Sequence, residues 1–430
     1  MKQKNLLRKT ACAAAAAGLT LQMCACSPSA VASDGTVDLM RNVTAHTGAP
    51  ASERFQRDEV TQALFEAAYN DFAVTLLRQS MGRRDDDGNV MVSPLSVMTA
   101  LTMTANGAQG ETLAQMTRVM GGSLELEALD GYVSDYVSQL PCDAEAKLLC
   151  GNSIWLRKDK TDVKKTFLQT NADYFHADIF SAPFDDGTRT DINQWVSRRT
   201  DGMVNRMLDE IPKEAVMYLV NALVFDAEWE KIYSEDQIFE APFTGEDGET
   251  VTAAMMSSEE TGWLDDGRAT GFVKPYASGY RFAALLPEEG LSVEDYLSGM
   301  DCSVITEQIR RGGEEQVNVM MPKFRAEYAA ELSDTLKAMG MPLAFDRDKA
   351  DFSGIADVRR ENLYIGRVLH KTAVSVDERG TRAGAGTAVE IQTKSMLMGH
   401  FVYLNRPFVY MIVDDATCLP IFIGAVTRVE

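Results

Sequence analysis

Nine residues, Met217 to Phe225, form an apolar run broken only by Asn221. A strand with one wet face alternates apolar and polar residues, so an unbroken run predicts a strand covered on both faces. Such a strand belongs inside a large sheet with packed material above and below it. Phe282 to Leu286, Val317 to Met321 and Val368 to Val376 are further candidate strands. The C-terminus adds Phe408 to Val413, a turn at Asp414 to Thr417, and Leu419 to Val426. That pattern predicts a buried hairpin with Pro420 near a strand start, where proline is tolerated.

Helical signals concentrate earlier. Leu64, Phe65, Ala68, Phe72, Leu76 and Leu77 fall on one stripe of a helix over Val60 to Met81. Ser93 and Pro94 read as N-cap and first helical residue of a helix that Gly107 ends. Its apolar residues, from Leu95 to Ala105, surround the axis, which predicts a buried helix. A third helix from Asp191 places Ile192, Trp195 and Val196 on one face and stops at Gly202. Helices early and strands late predict the α+β class.

The N-terminus reads as an address. Lys2, Lys4, Arg8 and Lys9 precede a short apolar stretch, Ala11 to Leu21, that ends near Cys24 and Cys26. Residues 1–25 therefore read as a bacterial lipoprotein signal with Cys26 as lipidated residue; Cys24, or plain secretion, is the alternative. Residues 26–57, rich in small and polar types, read as a flexible tether, and 58–430 as one domain without internal linker. This assigns the protein to the outside of a cell, held to the membrane by lipid alone.

The 42 basic and 63 acidic residues give a net charge of −21. A surface that acidic repels polyanions and argues against nucleic acid as a ligand. Of seven cysteines, Cys142, Cys150, Cys302 and Cys418 lie beyond the signal, too few for a disulfide framework. Cys142 and Cys150 could pair across a short loop; Cys418 reads as a packed thiol.

Catalytic motifs are missing. The four histidines are His46, His176, His370 and His400, and no GxSxG elbow, HExxH pair or Walker loop is present. Gly380 to Thr387 resembles a phosphate loop only superficially, because no Lys-Ser/Thr follows. Neither a cofactor nor a metal is called for. What stands out is Arg379 to Ile391, thirteen residues that are nearly all small. If this stretch became a strand, Thr381, Ala383, Ala385 and Thr387 would share one face and fit a crowded interior. A surface loop is the plainer reading of the same composition.

Several blocks together resemble the serpins. They are NVMVSPLSVMTALTMTANGAQGETLAQM at 89–116, YLVNALVFDAEWE at 218–230, VNVMMPKF at 317–324, ADFSGIAD at 350–357, LYIGRVLHKTAVSVDERGTRAGAGTAVEI at 363–391 and LNRPFVYMIV at 404–413. The resemblance implies a large, mostly antiparallel central sheet, two smaller sheets, eight or nine helices and an exposed reactive-centre loop. It also implies a monomeric inhibitor rather than an enzyme. A target serine protease cuts the loop, and the hinge then inserts into the sheet and traps that protease.

Carried over residue by residue, the hinge is Glu378, Gly380, Thr381, Ala383, Ala385 and Thr387. The resemblance assigns Ser93, Ser96, Asn221 and His370 to a polar cluster where the sheet opens, with Trp229 closing the sheet top. Family spacing counted from Glu378 puts the cut bond at Lys394–Ser395, which suits trypsin-like proteases. A shifted register would put it at Met396, for elastase- or chymotrypsin-like targets. A non-inhibitory serpin acting as a surface binding module is the remaining alternative.

Overall fold

The computed structural model describes residues 35–46, 58–84, 88–143, 146–358, 362–382 and 399–429. Among these, nine α-helices are present: α1 (Glu59–Met81), α2 (Pro94–Ala105), α3 (Gly110–Gly121), α4 (Leu126–Gln139), α5 (Lys165–Phe175), α6 (Asp186–Arg199), α7 (Val293–Gly299), α8 (Cys302–Arg311) and α9 (Ser333–Met339). The fold is α+β, built on a seven-stranded sheet.

That sheet contains β1 (Val37–Asp38), β2 (Ala146–Arg157), β3 (Asp178–Ala182), β4 (Met217–Glu228), β5 (Phe324–Glu331), β6 (Arg367–Val376) and β7 (Gly380–Arg382). Their spatial order is β1-β3-β2-β4-β7-β6-β5. The sheet is mixed and, as expected, mostly antiparallel: five of its seven pairings are antiparallel, while β2 runs parallel to β3 and β4 runs parallel to β6. A six-stranded and a four-stranded sheet accompany it, with a two-stranded pair, 356–358 against 161–163, beyond the two small sheets expected.

The apolar run behaves as its composition demands. Odd positions of β4, such as Leu219, Leu223 and Phe225, enter the main core, while Tyr218, Val220, Ala222 and Val224 pack beneath α6 with Trp155, Ile192 and Trp195. Ser93 caps α2, its Oγ accepting from Ser96 N at 3.1 Å, and every residue of α2 is buried. The α6 helix begins five residues before Asp191, behind a capping box at Asp185 and Thr188. The C-terminal hairpin forms as expected, Phe408–Asp414 against Pro420–Val426.

Three expectations need correction. Helices also occur late, at α7, α8 and α9, and strands also occur early, at β2 and β3. The stretch expected to be a flexible tether is docked over part of its length. Val37 and Asp38 pair with Ser181 and Phe180, Thr36 Oγ1 donates to Asp191 at 2.7 Å, and His46 bonds Asp173 through both its backbone N and Nδ1 at 2.8 Å. A sheet edge accepts any extended backbone, so two residues suffice and no apolar pattern announces them. No disulfide joins Cys142 to Cys150, and Cys418 is buried.

Candidate functional site: the closed seam of the central sheet

Strands β4 and β6 are direct parallel neighbours from Tyr218/Arg367 to Val224/Ala373. Above that point they part, and β7 lies between them. Gly380 and Thr381 pair with Glu228 and Ala227 of β4, while Thr381 and Arg382 pair with Val376 and Ser375 of β6. The stretch expected to be a hinge therefore starts inside the sheet instead of wholly outside it.

Each residue at this entry has a local reason. At Gly380 an added Cβ would lie 2.0 Å from Ala227 O, so only glycine allows the strands to approach so closely. Thr381 is fully buried, its Oγ1 2.6 Å from the Tyr276 hydroxyl. Glu378 pairs with Lys323 at 2.5 Å. Burial pushes the Glu378 carboxyl up, but the Lys323 bond, a backbone N–H and Arg379 outweigh it and hold the group below its ordinary 4.5. Trp229 Nε1 donates to Asp377 O, and its backbone N donates to Arg379 O, which ties the sheet top to the turn before β7.

The Trp229 ring stacks on Tyr276 at 4.4 Å between centroids. Lys274 Nζ lies 5.5 Å from the Trp229 centroid and 4.4 Å from that of Tyr233, and is paired at 2.6 Å with buried Glu260. Removing either member would strand a buried charge, which makes the platform under Trp229 stiff.

Lower on the same seam, His370 and Asn221 face each other in register. Ser93 N donates to His370 Nε2 at 3.2 Å, so that nitrogen is the acceptor and the proton resides on Nδ1, which donates to Asn221 Oδ1 at 3.0 Å. Burial holds the imidazole down to about 3. A protonated ring would set a second N–H against that of Ser93, so the ring is neutral. Asn221 Nδ2 is buried without a hydrogen-bond partner. Asn152, opposite Asn221 on β2, donates to Ser96 O and Oγ at 3.2 and 2.9 Å once its amide is oriented to satisfy both groups.

Ser93, Ser96, Asn221 and His370 thus come together, and Trp229 stands apart at the sheet top with Glu378, Gly380 and Thr381. Ala383, Ala385, Thr387, Lys394, Ser395 and Met396 lie outside the described residues, as do Cys24 and Cys26. Sequence reasoning missed Asn152, Tyr276, Lys274, Glu260 and Lys323. Lys323 falls inside the 317–324 block without being singled out there, the other four lie in no quoted block, and only topology unites them. Among the described residues no group of three or more His, Cys, Asp or Glu side chains could hold a metal ion. No described helix is long and apolar enough to cross a membrane.

The profile of the family described as Serpin (serine protease inhibitor) matches residues 67–429. The chain belongs to the serpin family. Serpins are generally inhibitors of serine proteases rather than enzymes, although some are non-inhibitory. This serpin is 29% identical over 375 residues to human Serpin B7, covering 82% of this chain and 97% of that protein. It is 28% identical over 375 residues to human antithrombin-III, covering 83% and 80%. The native state of the thermophilic serpin tengpin superposes with a TM-score of 0.84 at 41% identity, over 92% of this chain and 100% of that one. The latent state of tengpin gives 0.75 at 40% identity, over 87% and 100%. The arrangement described above therefore lies nearer the native form of that relative.

Proposed function

We propose that this serpin inhibits trypsin-like serine proteases by suicide cleavage at Lys394–Ser395, followed by insertion of the hinge between β4 and β6. The observation that carries the reading is the register of β7. Each further residue along the loop moves one position back along β4 and along β6. Continued at that register, Ala383, Ala385 and Thr387 take the face already occupied by Thr381. Thr387 then arrives between Asn221 and His370, where its hydroxyl can accept from the orphaned Asn221 Nδ2. Small side chains on that face are what a late strand needs to enter a packed sheet.

Incubation with trypsin tests this. The expected products are an SDS-stable complex and a released C-terminal fragment beginning at Ser395. A fragment beginning at Leu397 would move the bond to Met396 and the target class to elastase- or chymotrypsin-like enzymes. Clean proteolysis with trypsin fully active would leave a non-inhibitory binding module. We further propose that the inhibitor acts as a monomer outside the cell, held to the membrane by lipid on Cys26. Metabolic palmitate labelling should be lost in Cys26→Ser; retained label would reassign the anchor to Cys24.

A further inference from the structure

Strand His400–Tyr403 begins two residues beyond the 383–398 stretch and forms the edge of the four-stranded sheet, parallel to Gln316–Pro322. Its alternation turns Val402, 1% exposed, into the core and leaves Phe401 on the outer face at 60% exposure. Phe401 is the one exposed Phe, Tyr or Trp among the described residues. The fold has no evident need of it there.

The register places Phe401 beside Asn318 and Asn318 beside Glu259; the next row holds Tyr403, Met320 and Ser257. These outward positions carry no Lys or Arg. Glu314 and Glu315, both exposed, lead into strand Gln316–Pro322. The strand bearing Phe401 is also fixed in place: the His400 ring stacks on Trp263 at 4.1 Å, and its Nε2 meets Glu315 at 3.1 Å. An aromatic side chain thus projects from a fixed strand on a face otherwise half apolar and acidic. Phe, Tyr and Met are enriched at the centres of protein interfaces, and complementary charge at the rim selects partners.

Distance connects this patch to the loop. Six residue steps lead from Ser395 to Phe401, a span of at most about 21 Å fully extended. An interface of standard size covers about 800 Å² per partner, roughly a disc of 16 Å radius. An enzyme centred on the cut bond therefore covers Phe401 whenever the intervening chain spans less than about 16 of those 21 Å.

We propose that Phe401, flanked by Glu259, Glu314 and Glu315, is a docking contact for the target protease. It fits an apolar recess bordered by Lys or Arg beside that enzyme's cleft. The proposal rests on the reading that a protease engages the loop, and it adds which enzymes of that class are engaged fastest.

Cationic and anionic trypsin share a specificity pocket and differ in surface charge, which makes them suitable probes. With cationic trypsin, Phe401→Ala should lower the second-order rate constant for loop attack at least tenfold, the scale of a hot-spot truncation. The melting temperature of the intact protein and its rise on nicking should not change. Glu259→Gln combined with Glu314→Gln should flatten the ionic-strength dependence of that rate, and wild-type protein should react more slowly with anionic trypsin. Rates within twofold of wild type for Phe401→Ala would overturn the proposal. So would micromolar self-association that Phe401→Ala abolishes with rates unchanged, which would give the patch to a second copy of this chain. Loop attack is measurable whether the protease is trapped or released. Wild-type protein that is cut without trapping would thus remove the inhibitory reading and leave this one standing, while a loop that is never attacked removes both.

Discussion

Cutting the loop at Lys394–Ser395 should raise the melting temperature of this serpin, and the size of the rise follows from the seam. Continuing the β7 register down to the level of Met217 brings nine more residues, 383 to 391, between β4 and β6. A central strand bonds through both backbone groups of each residue, so about eighteen ladder bonds form. The parallel pairing of β4 with β6, seven register pairs, is lost. The net gain is about eleven bonds at ~0.5–1.5 kcal/mol each, or roughly 5–16 kcal/mol, comparable to the whole stability of an ordinary domain. With an unfolding entropy of about 2.1 cal/mol/K per residue over roughly 370 residues, this corresponds to about 7–20 °C. Burial of the inserted methyl groups adds to it.

Differential scanning calorimetry of intact and trypsin-nicked protein measures the rise. Thr381→Arg is the control, because a guanidinium at this fully buried position beside Tyr276 would have to enter the core. The nicked variant should melt within about 2 °C of its intact form on the same entropy scale, and trypsin should emerge active. Nicked wild-type protein that melts no later than intact protein would refute the insertion argument.

Other outcomes follow from single residues. Gly380→Ala forces a Cβ to within 2.0 Å of Ala227 O, so β7 should leave the sheet; hydrogen exchange over 376–382 should quicken and the intact protein lose ~1–3 kcal/mol. The Glu378–Lys323 pair is more than a fifth exposed on each side, so Glu378→Gln should cost at most ~1 kcal/mol globally while exposing the hinge to limited proteolysis. With its carboxyl held below 4.5, the contribution of Glu378 is complete above that pH and lost as pH falls through the folded value. His370 is held down to about 3 against 6.5 unfolded, so the unfolded chain binds the extra proton, and stability present above pH 6.5 declines on acidification. Urea midpoints at pH 7 and pH 5 should differ by an amount equivalent to ~2 kcal/mol more in wild type than in His370→Asn; equal differences would remove His370 as the cause.

Much of the frame was legible in the sequence because its signals are local. Met217 to Phe225, the Ser93–Pro94 start and the C-terminal hairpin each state their burial through residue order alone. Strand β2 escaped notice because its burial follows no period of two, being exposed at Cys150 and closed from Ser153 to Leu156. Asn152 was invisible for the same reason. Lys274 and Glu260 are single charges fourteen residues apart, and nothing short of the fold brings them under Trp229. Gly380 and Thr381 stood out in the sequence, but that they already lie within the sheet depends on a fit between Gly380 and Ala227 that composition does not express. The N-terminal contact is the plainest case: a two-residue pairing carries no pattern for a reader to find.

The adjacency of β4 and β6 has a consequence for how such a molecule is used. Two strands joined only until a third arrives can be separated a single time, since the exchange releases far more free energy than thermal motion can return. Under the proposed mechanism every encounter consumes one copy. Protection would then be limited by how many fresh molecules are at hand, and shortage would be met by synthesis rather than by turnover.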